Sequence, residues 1–397
     1  MNNTVIFAAA GNGKTYDLCK KAKELASITS KEILIISYTN EGKKSIETEY
    51  KKQNLGIIDK NIIIKTWYSF LLSDLIKPYQ CSLKLKVKKY KNETFFKMPP
   101  NFIESIAFYE DKTLKSYFNT EHLQYYLNSN KDIHKDNVSA LAYKCIQDSD
   151  NEVIIRIEEL YHSIFIDELQ DYAGWDLEIF EVLFKSKINI YCVGDGKQAT
   201  FRTNNSNKNK KYRDDRIVDF FKMLEKKKMC TINYANTTRR FVGEVCDYIN
   251  LIYNDKTTCV VPEKSDESDV TNKGIYIIDE KFLAIYCEYY KPTILRYNSL
   301  SVINFKNNCH IINYGASKGS TFDRIVIIPV KTIIPFITKL KDITSKQTRS
   351  KFYVACTRTK YSIVFSMQNA EENDYFSRIE LKLGDLSIPA FKYTKKD

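Results

Sequence analysis

The sequence has ten cysteines but no CxxC pair, no HExxH, and only four histidines. Structural and catalytic zinc sites draw on closely spaced Cys and His, so a zinc centre is not expected. The cysteines are scattered, several within apolar runs such as Tyr191-Cys192-Val193, and read as reduced, buried small residues. No apolar run approaches membrane-spanning length, and no secretory leader is recognisable ahead of Ala8. A cytoplasmic protein with no membrane partner is therefore expected. There is no internal repeat. Acidic residues are the minority, 49 against 61 Lys and Arg, and the resulting net charge of +12 makes an acidic polymer a plausible partner. Enrichment in Lys, Asn, Ile and Tyr also fits a bias in genome composition, so basicity by itself supports nucleic acid only weakly.

Two short runs carry most of the chemical information. The first, FAAAGNGKT at 7–15, joins an apolar strand (Val5 to Ala8) to Lys14-Thr15 at the start of a helix through a turn holding Gly11 and Gly13. Glycines let successive backbone N–H groups curl around phosphates, the helix N-terminus adds its dipole, and the threonine hydroxyl suits Mg²⁺. Ala10, Gly11, Asn12, Gly13, Lys14 and Thr15 are the expected nucleotide contacts. Ala8 stands where the first glycine of the pattern usually is. The second run, IFIDELQD at 164–171, is an apolar strand end delivering two adjacent carboxylates, Asp167 and Glu168. That order suits Mg²⁺ binding by the first acid and activation of water by the second.

A chain of 397 residues with 43% apolar content can fill two or three domain cores. Strand-like runs at Val5–Ala8, Ile33–Ser37, Ile62–Lys65, Ile164–Ile166 and Ile188–Val193 alternate with helical patterns. This predicts an α/β fold with a parallel sheet whose ligand edge lies at the strand C-termini. A second series, Thr231–Asn233, Gly274–Ile278, Thr293–Arg296, His310–Asn313, Ile325–Pro329 and Ser362–Ser366, predicts a second α/β domain without its own phosphate loop. The expected boundaries are 1–215 and 216–397, with a small, mainly helical insertion at about 75–145 in the first domain. Within that insertion Lys84-Leu85-Lys86-Val87-Lys88-Lys89 alternates, so a strand there shows a lysine row on one face. Edge-strand protection and phosphate-backbone contact are equal readings of that row.

With these motifs in hand, the chain resembles the UvrD-like branch of superfamily 1 helicases. Matching segments follow in the family order: ILIISYTNEGKKSI (33–46), KTWYSF (65–70), CVGDGKQATFR (192–202), RRFVGEVCDYIN (239–250), TILRYN (293–298), GASKGSTFDRIVI (315–327) and FYVACTRTKYSIV (352–364). The resemblance implies two RecA-like P-loop NTPase domains that use ATP and Mg²⁺. It implies that Lys14 and Thr15 bind phosphates and metal, Asp167 holds Mg²⁺, Glu168 positions the attacking water, and Gln198 senses the γ-phosphate. Arg240 and Arg358 match its arginine fingers, with Arg239 an alternative to Arg240, and Gly319 matches a nucleotide-contacting position. A guanidinium arriving from a second domain would make hydrolysis depend on domain closure. Tyr38, Thr39, Asn40, Thr66, Ser69, Phe201 and Arg202 match positions along the single strand. Tyr38 and Phe201 fit either base stacking or core packing.

Several departures shape the expected activity. The sequence leaves no room before Ala8 for the family's adenine-reading glutamine, which leaves the base open. Thr203 and Asn204 replace a tryptophan and an arginine, Gly315 a histidine, Thr321 a glutamate, and Tyr68 another histidine. The stretch from Arg240 to Lys318 is too short for the large second-domain insertion of full-length relatives, so processive unwinding is not implied. Two functions follow. One is an ATP-dependent translocase or helicase on single-stranded DNA, 3′ to 5′ by resemblance, in DNA repair or antiphage defence. It is similar to the helicase-like subunit of Gabija systems, which partners an OLD-type nuclease. The other is a nucleotide- and DNA-gated switch for a partner such as a nuclease. RNA remains an alternative strand, and no residue pattern suggests a nuclease centre in this chain.

Overall fold

The computed structural model describes residues 3–89, 92–103, 118–200, 206–255, 258–263, 269–301 and 308–395, and the backbone of 108–109. The chain divides into two compact units, one made of 1–7, 14–196 and 202–233, the other of 8–13, 197–201 and 234–397.

The first unit is built on β1 (Thr4–Ala8), β2 (Glu32–Ser37) and β3 (Ile62–Thr66), followed by a segment carrying β4 (Lys84–Lys89), β5 (Asn92–Lys97), β6 (Phe108–Tyr109) and β7 (Ile133–His134), and then β8 (Tyr161–Ile166), β9 (Asn189–Gly194) and β10 (Thr231–Ala235). Its six-stranded sheet has the order β10-β1-β9-β8-β2-β3. The pairs β1–β9, β9–β8, β8–β2 and β2–β3 are parallel. Strand β2 shows why. Leu34 and Ile36 pack into one core with Trp67, Ile164, Ile166 and Phe180, while Ile33 and Ile35 pack into another with Leu18, Cys19 and Phe165. A strand buried on both faces reads as a continuous apolar run, and such runs belong to parallel sheets covered by helices on both sides.

The α/β class expected from the sequence is what the structure shows. One strand differs in place: Thr231–Ala235 joins the first sheet beside β1 and does not open the second. The helix Ile217–Lys226 before it buries Phe220, Phe221 and Leu224 in the first core, so the chain is still anchored there when it turns, and Asn3 accepts the Thr231 N–H at 3.0 Å. The segment at 75–145 carries helical turns and the helix Val138–Asp148, but also the antiparallel hairpin β4–β5, in which Lys84, Lys86 and Lys88 oppose Lys97, Phe95 and Glu93.

The second unit contains the parallel pair β11 (Thr237–Thr238) and β12 (Val261–Pro262) and a seven-stranded sheet. The larger sheet is formed by β13 (Gly274–Asp279), β14 (Thr293–Arg296), β15 (Ile311–Asn313), β16 (Phe322–Ile328), β17 (Thr359–Met367), β18 (Phe376–Leu383) and β19 (Leu386–Tyr393), in the order β15-β14-β16-β17-β13-β19-β18. Its first five strands are mutually parallel. The hairpin β18–β19, which local pattern did not single out, closes the other side antiparallel to β13. Here too both faces are buried: Ile275 and Ile277 lie in one core, Tyr276 and Ile278 in the other.

Candidate functional site

In the first unit, parallel register brings the chemistry-bearing loops to one edge. Ile166 at the end of β8 pairs with Cys192 of β9 and Ile36 of β2, and Phe7 near the end of β1 pairs with Gly194 at the end of β9. Everything that follows these strands leaves the sheet on the same side, where ligands of open α/β sheets bind. Asp167 follows β8 directly, and its N–H still bonds the Ile36 carbonyl at 2.9 Å. Its carboxylate accepts from the Thr15 hydroxyl at 3.1 Å and from the Glu168 N–H at 2.8 Å. Thus two of the expected metal ligands, 152 positions apart in the chain, are adjacent in space. Burial and the charge of Glu168 push the Asp167 carboxyl above the usual carboxylate range; the Glu168 N–H, the Lys14 charge and the Thr15 hydroxyl oppose that rise. A buried carboxylate beside a hydroxyl, with a lysine close enough to be felt, is a hard-oxygen site that fits Mg²⁺ and a phosphate chain.

Glu168 takes a left-handed backbone conformation, φ +57°. Its carboxylate accepts from the Gln170 amide at 2.5 Å. Gln170, within the IFIDELQD run but not among the residues expected to act, is 3% exposed, and its own carbonyl oxygen accepts the Asp195 N–H at 2.9 Å. The signal was local: an amide two residues beyond a carboxylate in the same motif.

In the second unit, the loop Ala8–Gly13 lies against 235–240. Ala9 N–H bonds the Ala235 carbonyl at 2.8 Å, Thr238 donates its hydroxyl to the Ala10 carbonyl at 2.8 Å, and Arg239 N–H bonds the Gly11 carbonyl at 3.0 Å. Asn12 donates to the Thr237 carbonyl at 3.0 Å. Gly11 and Gly13 both have positive φ, +77° and +93°. A Cβ on Gly11 would come within 2.5 Å of Arg240 Cβ and of Thr238 Oγ1, so this position requires glycine on both counts.

The two expected arginines are neighbours. Arg358, 1% exposed, donates to the Val354 carbonyl at 2.8 Å, the Thr357 hydroxyl at 2.8 Å, the Ser320 carbonyl at 3.4 Å and the Gln198 amide oxygen at 3.3 Å. Arg240 donates to the Thr357 carbonyl at 3.0 Å, one residue away. Arg239 instead pairs with Glu263 at the surface, which separates the two adjacent arginines by partner. Gly319 precedes the Ser320 that Arg358 contacts and has φ +86° with open space where a side chain would go.

Of the expected strand contacts, Tyr38 is half-buried, its ring 5.8 Å from that of Tyr68 and 6.0 Å from that of Tyr172, its hydroxyl 3.3 Å from the Tyr68 hydroxyl. Burial pushes that phenol up to about 12. Thr39 caps the helix Asn40–Gln53 by accepting the Gly42 N–H at 2.9 Å, with Asn40 exposed at its start. Thr66 caps the helix Trp67–Phe70 by accepting the Ser69 N–H at 3.2 Å, and its hydroxyl lies 3.0 Å from that of Ser69. Ser37 and Thr66 pair in register, so these residues share the edge that carries Asp167. Phe201 and Arg202, like Thr203 and Asn204, lie outside the described residues. Among the described residues no helix is long and apolar enough to cross a membrane.

Comparison with known proteins bears on the same region. Residues 60–216 match the UvrD/REP helicase N-terminal domain, a span that includes Asp167, Glu168 and Gln198 and begins after the phosphate loop. The RecBCD enzyme subunit RecB of Borreliella burgdorferi is 25% identical over 282 residues, 64% of this chain and 23% of that protein. The Gabija protein GajB of Bacillus cereus is 26% identical over 277 residues, 68% of this chain and 50% of that protein. The alignments therefore span half or less of these relatives. Among solved structures, the arterivirus nonstructural protein 10 helicase has a TM-score of 0.44 at 12% identity, covering 92% of this chain and 59% of its own. The chain is thus similar to proteins of the UvrD/REP helicase kind, and residues 60–216 match their N-terminal domain.

Proposed function

We propose that the protein hydrolyses ATP at the edge formed by Lys14, Thr15, Asp167 and Glu168, and uses that hydrolysis to move along, or grip, a single strand of nucleic acid, DNA in the first instance. The observation that carries this reading is the junction of Thr15 and Asp167 at 3.1 Å, with Glu168 next in the chain and held by Gln170. Thr15 and Asp167 would hold Mg²⁺, which when bound supplies positive charge to the phosphoryl oxygens. Lys14 adds a second cation. Glu168 would orient water and accept its proton. In the second unit, Arg240 and Arg358 are two permanent cations sharing Thr357, and Gln198 reaches the same guanidinium. Charge developing on a transferred phosphoryl group is what such a pair stabilises. Tyr38, Thr39, Asn40, Thr66, Ser69, Phe201 and Arg202 are the proposed strand contacts.

RecB is by name a subunit of a larger enzyme, and GajB a Gabija protein. This supports work with a partner protein, a nuclease among the candidates, in DNA repair or antiphage defence. In place of a boundary at 215/216, the proposed functional division follows the two units, with the helix Ile217–Lys226 and the strand Thr231–Ala235 counted with the first sheet. The test is ATP hydrolysis with and without single-stranded DNA, with RNA and duplex as comparisons. Stimulation by the single strand, lost in Lys14→Ala and Arg358→Ala, is the expected result. Nucleotide binding with flat hydrolysis would overturn it in favour of a nucleotide-gated switch that needs a partner to complete the site.

A further inference from the structure

All ten cysteines are free thiols, and one pair of them, in the second unit, stands apart. Cys287 lies in the last turn of the helix Leu283–Tyr290, 3% exposed, and packs in one core with Tyr276, Ile278 and Ile294. Cys309 is half-buried against the same core, two residues before β15. Its thiol donates to the Cys287 carbonyl at 3.8 Å and is within hydrogen-bonding reach of the Cys287 thiol. The other neighbouring thiols are Cys81 and Cys145, Cys192 and Cys230, and Cys246 and Cys259. Among the described residues these feel one another's charge without such a bond. Backbone holds both members of the first pair in place. The Lys291 N–H bonds the Cys287 carbonyl at 2.9 Å, and the Ile294 N–H bonds the carbonyl of His310, next to Cys309, at 2.8 Å. Burial, and secondly the Cys309 sulfur, push the Cys287 thiol above its ordinary value and suppress its thiolate. Cys309 is the member of the pair that solvent reaches more readily.

We propose that Cys309 and Cys287 are a peroxide-responsive thiol pair, which closes into an intramolecular disulfide and locks the last turn of the helix Leu283–Tyr290 to the start of β15. The oxidant is hydrogen peroxide. It takes the accessible Cys309 sulfur to a sulfenic acid and is itself reduced to water. The Cys287 thiol then attacks that sulfur. The S–S bond forms, the S–O bond breaks, and the hydroxyl leaves with the thiol proton as a second water. Two thiols thus give two electrons to one peroxide. A buried thiol held protonated is spared direct oxidation, which keeps Cys287 available as the resolving partner. Where thiols are otherwise kept reduced, a bridge of this kind is transient and redox-sensing, and a dithiol reductant reopens it. The bridge closes a loop of 22 positions that contains β14, and so restricts the unfolded chain. None of this depends on nucleotide, so the pair stands apart from the hydrolase reading.

The test treats the full chain with hydrogen peroxide, blocks the remaining thiols by alkylation and maps the bridged peptides by mass spectrometry. Wild type should give the Cys287–Cys309 bridge as its main intramolecular product, and dithiothreitol should remove it. Cys309→Ser and Cys287→Ala should each abolish that bridge. In Cys287→Ala the sulfenic acid loses its resolving partner, so dimedone should label Cys309 several-fold more than in wild type. The oxidised wild type should melt about 5 °C or more above the reduced protein, and Cys309→Ser should show no such rise. A main bridge through another pair, Cys81 and Cys145 included, overturns the proposal. So does peroxide treatment that leaves both thiols free for alkylation. Dimedone labelling of Cys287 in Cys309→Ser, with none on Cys309 in Cys287→Ala, overturns the order of the two steps. A Cys287–Cys309 bridge with an unchanged or lower melting temperature overturns the lock. Should Cys287→Ala fail to fold, the wild-type peptide map and Cys309→Ser, a change at a half-buried site, decide between these outcomes.

Discussion

Asp167 concentrates the electrostatics of the site. Its folded carboxyl titrates above the unfolded value, chiefly because burial penalises the charge and secondly because Glu168 adds a like charge. A group with a raised pKa contributes stability that is fully present below the ordinary carboxylate range and is lost as pH rises through the folded pKa. Above that window the protein carries a buried, poorly compensated charge, which Mg²⁺ and nucleotide would relieve. The rise in melting temperature on adding Mg²⁺ and an ATP analogue should therefore be larger at pH 8 than at pH 5.5, and Asp167→Asn should abolish that difference while leaving the apo protein at least as stable at pH 8. Gly11 offers a test of geometry instead of charge. Gly11→Ala must find space beside Arg240 and Thr238 at a positive φ, a strain of about 1–3 kcal/mol. A lower melting temperature together with weaker analogue binding is the expected pair of results.

Among the elements, the strand ends do the positioning and the helices hold the strand ends. Asp176, fully buried at the start of the helix Asp176–Lys185, accepts from the Trp67 indole at 2.7 Å and from the Ser139 hydroxyl. It thereby joins the short helix after β3, the helix Val138–Asp148 and the helix after the Asp167 motif. Trp67 stacks on Phe180 at 5.4 Å, and Tyr172, which touches Tyr38, packs edge-on against both. Asp176→Ala leaves the indole N–H and the serine hydroxyl without that acceptor and should cost about 3 kcal/mol or more in urea unfolding. Thr39 and Thr66 show how one hydroxyl serves two readings. Each caps a helix, and each lies at the edge proposed for the strand. Their place in sequence marked them for nucleic acid, while the capping bond needed the helix start that only the fold displays.

Over the whole molecule, the net charge of +12 and the proposed phosphate contacts predict strongly salt-dependent binding. Each neutralised phosphate releases counterions, so affinity for a single strand should fall by about a hundredfold or more between roughly 50 and 200 mM salt. A weak dependence, measured by fluorescence anisotropy, would count against backbone tracking. The two units contribute different chemistry. The first unit holds the carboxylates, Lys14 and Thr15; the second holds the arginines, together with the loop Ala8–Gly13.

The sequence by itself determined what depends on near neighbours in the chain. The glycines and Lys14-Thr15 between β1 and its helix, the acid pair at the end of β8, and the apolar runs of both sheets could be read because each is a contiguous pattern with one physical reason. Tertiary structure decided what depends on pairings between distant residues. It returned Thr231–Ala235 to the first sheet, added the β18–β19 hairpin to the second, brought Thr15 to Asp167, and gave Arg239 and Arg240 different partners. It also made Gln170 a bridge. Its two bonds reach Glu168 and Asp195, and the second of these exists only because β8 and β9 are adjacent in the sheet. Strand order is set by how whole surfaces bury one another, a long-range property that no local run of residues encodes.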